Sequence, residues 1–342
     1  MDKKNTELES QKSGKSTAIS KGTSIIASFW QRLGAIIIDS IVLGIIGQVL
    51  GWTFSSSLFN IGPYGRFIGL VILLAYFGLL NSKIGNGQTI GKRLFKIAVR
   101  GESGNPIDLS ISLFRALITT LPGLLNGWQL PAFGNKVFLS VIQSVLVLGI
   151  GPALAYTMVF NRVPRQGLHD MICKTYVVRL GMDYKLSFPK TKNIHWIISS
   201  AFIFIGILIP SLVFFQGSII NVESIFGIEV SPVKNLYEVY SVDNRFFSVN
   251  VTEKQYYSNQ RSPARVLVIE AWHKGRVSRD QTTELIISLV DTAMNEHEGI
   301  KNVDYITVSI TSAYDIGIAR GYFRHSQSNT VNEWEDLLAS DL

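Results

Sequence analysis

Apolar positions dominate long stretches of this chain with no helical or strand-like alternation, so each such stretch reads as buried on all sides or facing lipid. The first, Leu33 to Trp52, is about long enough to cross a bilayer as a helix of ~20 residues. A second runs from Phe67 to Leu80, extended back to about Ile61; a third covers 109–130; a fourth covers Val137 to Phe160; a fifth covers Ile194 to Phe215. Basic residues gather between the second and third stretches, at Lys83, Lys92, Arg93, Lys96 and Arg100. They gather again in 161–193, at Arg162, Arg165, Lys174, Arg179, Lys185, Lys190 and Lys192. By the positive-inside rule both loops are cytoplasmic. Two cytoplasmic loops are joined by an even number of crossings, so 109–130 is a full span, or else 109–160 is a re-entrant pair; the span is the preferred reading. The polar, Lys- and Ser-rich residues 1–22 read as a disordered cytoplasmic tail.

After the fifth stretch the pattern changes. Leu236–Val242, Phe246–Val251 and Val266–Trp272 read as strands, 278–297 as a helix with a Ser278/Gln281 capping box, Val303–Thr311 and Ile316–Phe323 as further strands, and Asn332–Leu338 as a short helix. The predicted fold is therefore a membrane all-α helical bundle of about five transmembrane helices, followed by a C-terminal extracytoplasmic α+β domain. Its segments are a basic tail (1–22), a transmembrane domain (23–180), a linker with the last helix (181–216) and an external domain (217–342).

Composition supports the membrane assignment. The chain has 342 residues, 47% of them hydrophobic, and a mean hydropathy of +0.25. The net charge of +7 divides into +13 over residues 1–215 and −6 over 216–342, as expected of two regions in two environments. The positive charge flanks apolar runs, which argues for membrane orientation and against nucleic acid as a partner. Cys173 stands alone, so no internal disulfide forms. The first apolar run starts too far in, and is too long, for a cleavable signal peptide.

Candidate chemistry sits where charge interrupts the apolar pattern. Asp39 lies inside the first span, and an ionised carboxylate there costs ~2.5–3.5 kcal/mol on insertion scales. Arg32, at the entrance, shares its helix face but sits ~10 Å along the axis, so each group needs partners of its own. The stretch 84–99, IGNGQTIGKRLFKIAV, is not a phosphate-binding loop: Asn86 stands five positions before Gly91, and Arg93 follows Lys92 where Ser or Thr belongs. It reads instead as a basic amphipathic segment at the headgroups, with Leu94, Phe95, Ile97 and Val99 inward and Lys92, Arg93, Lys96 and Arg100 towards phosphates. Arg165 is placed at the same interface. Arg115, in the third run, either snorkels to lipid phosphate or joins the Asp39 network.

Three stretches in order, FWQRLGAIIIDSIVL, GQTIGKRLFKIAV with a following GNPIDLSISLFRALI, and RQGLHDMICKTYVV, resemble the RDD family of bacterial membrane proteins over about residues 24–180. The family's Arg and two Asp correspond to Arg32, Asp39 and Asp170. The resemblance implies a multi-pass protein of the bacterial cytoplasmic membrane. Because some members are assigned to transport, including sodium–proton exchange, it also implies movement of a small solute, a cation or a proton.

An intramembrane carboxylate suits that role. Arg32 can pair with Asp170, and His169 can titrate near neutrality. The competing possibility is that Arg32, Asp39 and Asp170 only lock helices together. A path through so few spans calls for a homodimer, for which Gly34, Gly44, Gly47 and Gly51 would allow close packing. The other functional reading is a non-transporting envelope protein whose bundle anchors an external partner-binding or sensing domain. No metal spacing, nucleophile motif or cofactor signature marks the chain as an enzyme; His273, His297 and His325 are scattered, and Asp315 and Arg320 read as a surface charge pair.

Overall fold

A computed structural model describes residues 25–128, 136–181, 190–219, 245–258, 261–297 and 299–340. The tail at 1–22 and the strand expected at 236–242 lie outside them. The chain divides into two compact units, one of residues 1–47 and 66–218, the other of 48–65 and 219–342.

In the first unit, helix α1 (Phe29–Thr53) contributes all but its last turns. After a short helix α2 (Ser55–Ile61) and a 3-10 turn, α3 (Gly65–Leu74) continues through a π-helical turn at Ala75–Leu79. Helix α4 (Ile90–Leu94) and strand β1 (Ile97–Gly101) follow, then α5 (Leu109–Leu125). Helix α6 (Lys136–Ser144) runs through a second π turn, Val145–Ile150, into α7 (Gly151–Phe160). Helix α8 (Leu168–Ile172), strand β2 (Thr175–Arg179) and helix α9 (Asn193–Ile219) complete the unit.

The expected five-helix membrane bundle is not what forms. Among the described residues three helices are long and apolar enough to span a bilayer: Phe29–Thr53, Ser55–Leu79 and Phe138–Phe160. The 25 residues of α1 reach ~37 Å against a hydrocarbon core of ~30 Å. Helix α5 has 17 residues, ~26 Å. Its last turn is closed by side chains that hydropathy does not weigh. Arg66 donates to the Leu124 and Asn126 carbonyls, and Gln143 Nε2 donates to Leu125 O (2.8 Å) and Trp128 O (2.7 Å). These bonds satisfy carbonyls that a longer helix would have bonded itself. The described apolar part of α9, Asn193–Ile209, is also shorter than the three spans. On α1, Ile36, Ile37, Ile41, Ile45 and Val49 are exposed, an outward apolar face that suits lipid tails.

The two basic loops come together. β1 and β2 pair antiparallel from Ile97↔Arg179 to Gly101↔Thr175, and Ala27 N bonds Val177 O at 2.9 Å. Ala27, Ala35, Ile97, Val99, Ile107 and Val177 bury a small core there. This corrects the amphipathic reading of 92–100. The segment is a helical turn followed by a buried strand, Leu94 is exposed, and Arg100 is buried against Asn86, with Nη1 to its carbonyl at 2.9 Å.

The second unit holds a four-stranded sheet in the order β3 (Phe246–Ser258), β4 (Arg261–His273), β5 (Tyr305–Asp315), β6 (Arg320–Thr330). β4 and β5 are parallel, and helix α10 (Arg279–Glu296) lies between them in sequence, as a parallel pair requires; the other pairs are antiparallel. Ser278 and Gln281 form the capping box at its start. One sheet face buries Leu267, Ile269, Ile306, Val308 and Ile310 against Leu285, Ile286 and Val290 of α10 and Trp334 of α11 (Val331–Ser340). Residues 48–65 pack within this unit: Leu58 and Phe59 share a core with Tyr314 and Ile316, and the Phe59 and Tyr314 rings meet edge-on at 5.1 Å.

Candidate functional site

Asp39 is buried in α1 and accepts three hydrogen bonds. Tyr76 Oη donates to Oδ1 at 2.7 Å, Gly91 N to Oδ1 at 2.8 Å, and Thr89 Oγ1 to Oδ2 at 2.6 Å. Each donor is placed by local chain geometry. Tyr76 stands on the π turn of the second long helix, where the shifted ladder turns its ring from the register an α-helix would give. Ser112 Oγ donates to Gly78 O in the same turn at 2.6 Å. Thr89 is the N-cap of α4 and also accepts from Lys92 N at 3.3 Å. Gly91 sits so close to α1 that a Cβ there would lie 2.2 Å from the backbone carbonyl oxygen of Ala35. The glycine of the Gly-Lys-Arg stretch thus serves close approach, so that its own N–H reaches Asp39.

Asp170, in α8, is the second centre and is fully buried. Its Oδ1 accepts from Arg115 Nε (2.9 Å), Arg115 Nη2 (2.8 Å) and Thr175 Oγ1 (2.9 Å). Its Oδ2 faces Arg32 Nη1 (3.3 Å), Gly167 N (3.3 Å) and His169 Nε2 (3.4 Å). One carboxylate therefore ties α1, α5, the turn before α8 and strand β2. Burial opposes ionisation of Asp170, but Arg115, His169 and Arg32 overcome it and hold the carboxyl well below its usual range. His169 moves the other way from the sequence expectation: burial first, then Arg115 and Arg32, outweigh Asp170 and push the ring down to about 3, so it is neutral at pH 7. Lys92 Nζ bonds Asn81 Oδ1, and burial followed by Arg115 pushes its ammonium down to about 7.

A cavity of about 310 Å³ in the first unit is lined by both centres: Arg32, Asp39, Lys92, Arg115, His169 and Asp170 all contribute, with Asn81, Thr119 and Thr120 beside them and Ile36, Phe77, Leu154 and Met158 as apolar wall. The structure thus brings together Arg32, Asp39, Arg115, His169 and Asp170. It also brings in Lys92, expected at the headgroups. Arg93 and Lys96 are exposed, and Arg165 reaches the Ala27 carbonyl at 3.5 Å. Asn81, Tyr76, Thr89 and Thr175 were not singled out from sequence. Tyr76 has a faint signal as a hydroxyl inside an apolar run, and Thr89 as an N-cap residue before a helical turn. Among the described residues no group of three or more His, Cys, Asp or Glu is placed to hold a metal ion.

Long apolar helices joined by a polar, charged interior define the class: a multi-pass integral membrane protein. Residues 26–174 match the RDD family, and over that stretch the chain is a member of it. Two proteins of Bacillus subtilis (strain 168) are similar over this region. The uncharacterized protein YckC is 27% identical over 151 residues, which cover 44% of this chain and 83% of that protein. The uncharacterized protein YxaI is 26% identical over 175 residues, covering 44% of this chain and 96% of that protein. No solved structure matches.

Proposed function

We propose that the RDD region is a solute-handling module: a small charged solute enters the 310 Å³ cavity and passes through the membrane by way of it. The observation that carries this reading is six ionisable side chains converging on one cavity among apolar helices. Charged groups in such a setting are costly and commonly mark a pathway or binding site. The lock-only alternative accounts for Asp170, whose contacts tie four segments. It leaves unexplained why Lys92 and Asn81 line an open space beside it.

Orientation follows the basic loops, with the amino terminus, β1 and β2 on the cytoplasmic side, so that the chain between β1 and β2 leaves and returns on that side and α9 carries it to a sheet domain outside. Residues 48–65, the end of the first long helix and the start of the second, pack with the sheet domain, as that topology requires. The same packing favours a second reading, in which the module also anchors an external sensing or partner-binding domain.

Tracer flux into proteoliposomes tests the transport reading. Wild-type protein is expected to move a small ion across the bilayer, with at least a tenfold lower rate for Asp39→Asn. Flux that Asp39→Asn leaves unchanged removes Asp39 from the path. Absence of flux for sodium, protons, phosphate and acetate alike leaves the anchoring reading.

A further inference from the structure

The charge inventory of the cavity decides which sign of solute it suits. Among its described lining residues three are basic, Arg32, Lys92 and Arg115, and two are carboxylates, Asp39 and Asp170. Both carboxylates are already occupied. Asp170 has six polar neighbours, three at each oxygen. Asp39 takes three donors, all neutral. A hard cation needs several free oxygens at short range, and it would meet none that is uncommitted on Asp170 and at most one lone pair on Asp39.

The donors are in the opposite condition. Arg32 is buried and spends only Nη1 on Asp170; its Nε and Nη2 have no partner among the described residues. Those two nitrogens form one edge of the guanidinium, the same edge with which Arg115 grips Asp170 Oδ1. That edge matches the two oxygens of a carboxylate or phosphate. Leaving it empty in a buried site is costly, because each unsatisfied buried donor loses the solvation it had in water. Lys92, which bonds the neutral Asn81, adds a second donor at the cavity wall. His169 Nδ1 is likewise buried and without a partner among the described residues, and in the neutral ring with Nε2–H towards Asp170 it can accept a hydrogen bond, as from a phosphate or carboxylic hydroxyl.

We propose that this cavity is an oxyanion site, in which the free Nε/Nη2 edge of Arg32 and the Lys92 ammonium hold a phosphate or small carboxylate. This deepens the solute-handling reading and rests on it. It also departs from the cation or proton that the family resemblance implies. The volume lies at the lower end of ordinary ligand pockets (~300–1,000 Å³) and suits a small anion or the head of a lipid more than a large metabolite. A free oxyanion and a phospholipid headgroup share the recognising chemistry, and the experiment separates them.

The test is titration calorimetry on the full-length protein in a maltoside detergent, with inorganic phosphate as probe and sodium chloride at matched ionic strength as control. Saturable phosphate binding is expected, with no saturable heat from sodium chloride. Arg32→Lys keeps the charge and one contact to Asp170 but loses the two-pronged edge, and it is expected to weaken phosphate binding at least tenfold with little change in Tm. Lys92→Gln, which leaves the Asp170 cluster untouched, is expected to do the same and serves if Arg32→Lys does not fold. Displacement of phosphate by dioctanoyl phosphatidylglycerol assigns the site to a headgroup; binding indifferent to that lipid assigns it to a free anion. No saturable binding of either probe overturns the proposal, as does unchanged phosphate affinity in either folded variant. Phosphate binding without flux removes transport and keeps the oxyanion site. Sodium or proton flux without phosphate binding does the reverse.

Discussion

At the scale of single residues, Asp170 is the group whose loss should be felt most. Two guanidiniums, a histidine, a threonine hydroxyl and a backbone N–H converge on it. Removing one partner of a buried ion pair costs ~3–5 kcal/mol because the other charge is left uncompensated. Asp170→Asn is therefore expected to destabilise the protein by about that amount, read by denaturant unfolding in detergent, with a larger effect than Lys83→Gln at the exposed Lys83–Asp108 pair. The pH dependence has a definite sign. His169 is held at about 3 in the folded protein against an ordinary value near 6.5, so between those values the unfolded chain binds more protons. Stability from this group is fully present above about pH 6.5 and falls as the pH drops towards 3, at up to ~1.4 kcal/mol per pH unit. His169→Asn removes that slope, so unfolding midpoints measured between pH 6.5 and 4 should fall less for the variant than for the wild type. Arg32, Asp39, His169 and Asp170 were visible in the sequence because a charge inside or beside an apolar run is conspicuous. Tyr76, Asn81 and Thr175 were not, because polar neutral residues acquire their importance only from what folds against them.

At the scale of elements, the close contact of α4 with α1 depends on Gly91. A Cβ at that position meets backbone, the Ala35 carbonyl oxygen, and backbone cannot rotate away as a side chain can. Gly91→Ala is expected to cost ~1–3 kcal/mol and to loosen the Thr89 and Gly91 bonds to Asp39. A lower unfolding midpoint together with weaker phosphate binding would show both effects; a variant identical to wild type would show that the contact relaxes freely. Helix ends were the poorly legible part of the sequence. The sequence reading carries this helix to residue 130, but Arg66 and Gln143, distant in sequence, bond the terminal carbonyls of α5 near residue 125, and a residue-by-residue scale carries no information about such partners. The buried strand at 97–101 was misread for a related reason: Ile97, Ala98 and Val99 are covered by pairing with 175–179, which only the fold brings alongside.

At the scale of the whole molecule, two environments were legible from charge and composition, with +13 before residue 216 and −6 after it. The inclusion of 48–65 in the sheet-bearing unit was not legible, because that segment is short and uncharged and its partners Tyr314 and Ile316 lie over 250 residues away in the chain. Phe59 is the large side chain at the centre of that packing, and Phe59→Ala is expected to cost ~3–5 kcal/mol. Hydrogen exchange should then rise in 48–65 and around 314–319 together. A rise confined to 48–65 would mean that the segment contributes nothing to the sheet domain's stability. Protease added outside intact spheroplasts is expected to cleave within 219–342, and full protection would reverse the proposed orientation.

Whether the polar cavity admits charged solute from water is the point on which the functional reading turns. Thr119, on the cavity wall, can be made the probe as Thr119→Cys in a Cys173→Ser background and exposed to a small, membrane-impermeant methanethiosulfonate. The expected result is rapid labelling from at least one side of oriented vesicles, slowed by phosphate. No labelling from either side, in protein that retains its wild-type Tm, would contradict the reading and leave the charged cluster as a structural lock.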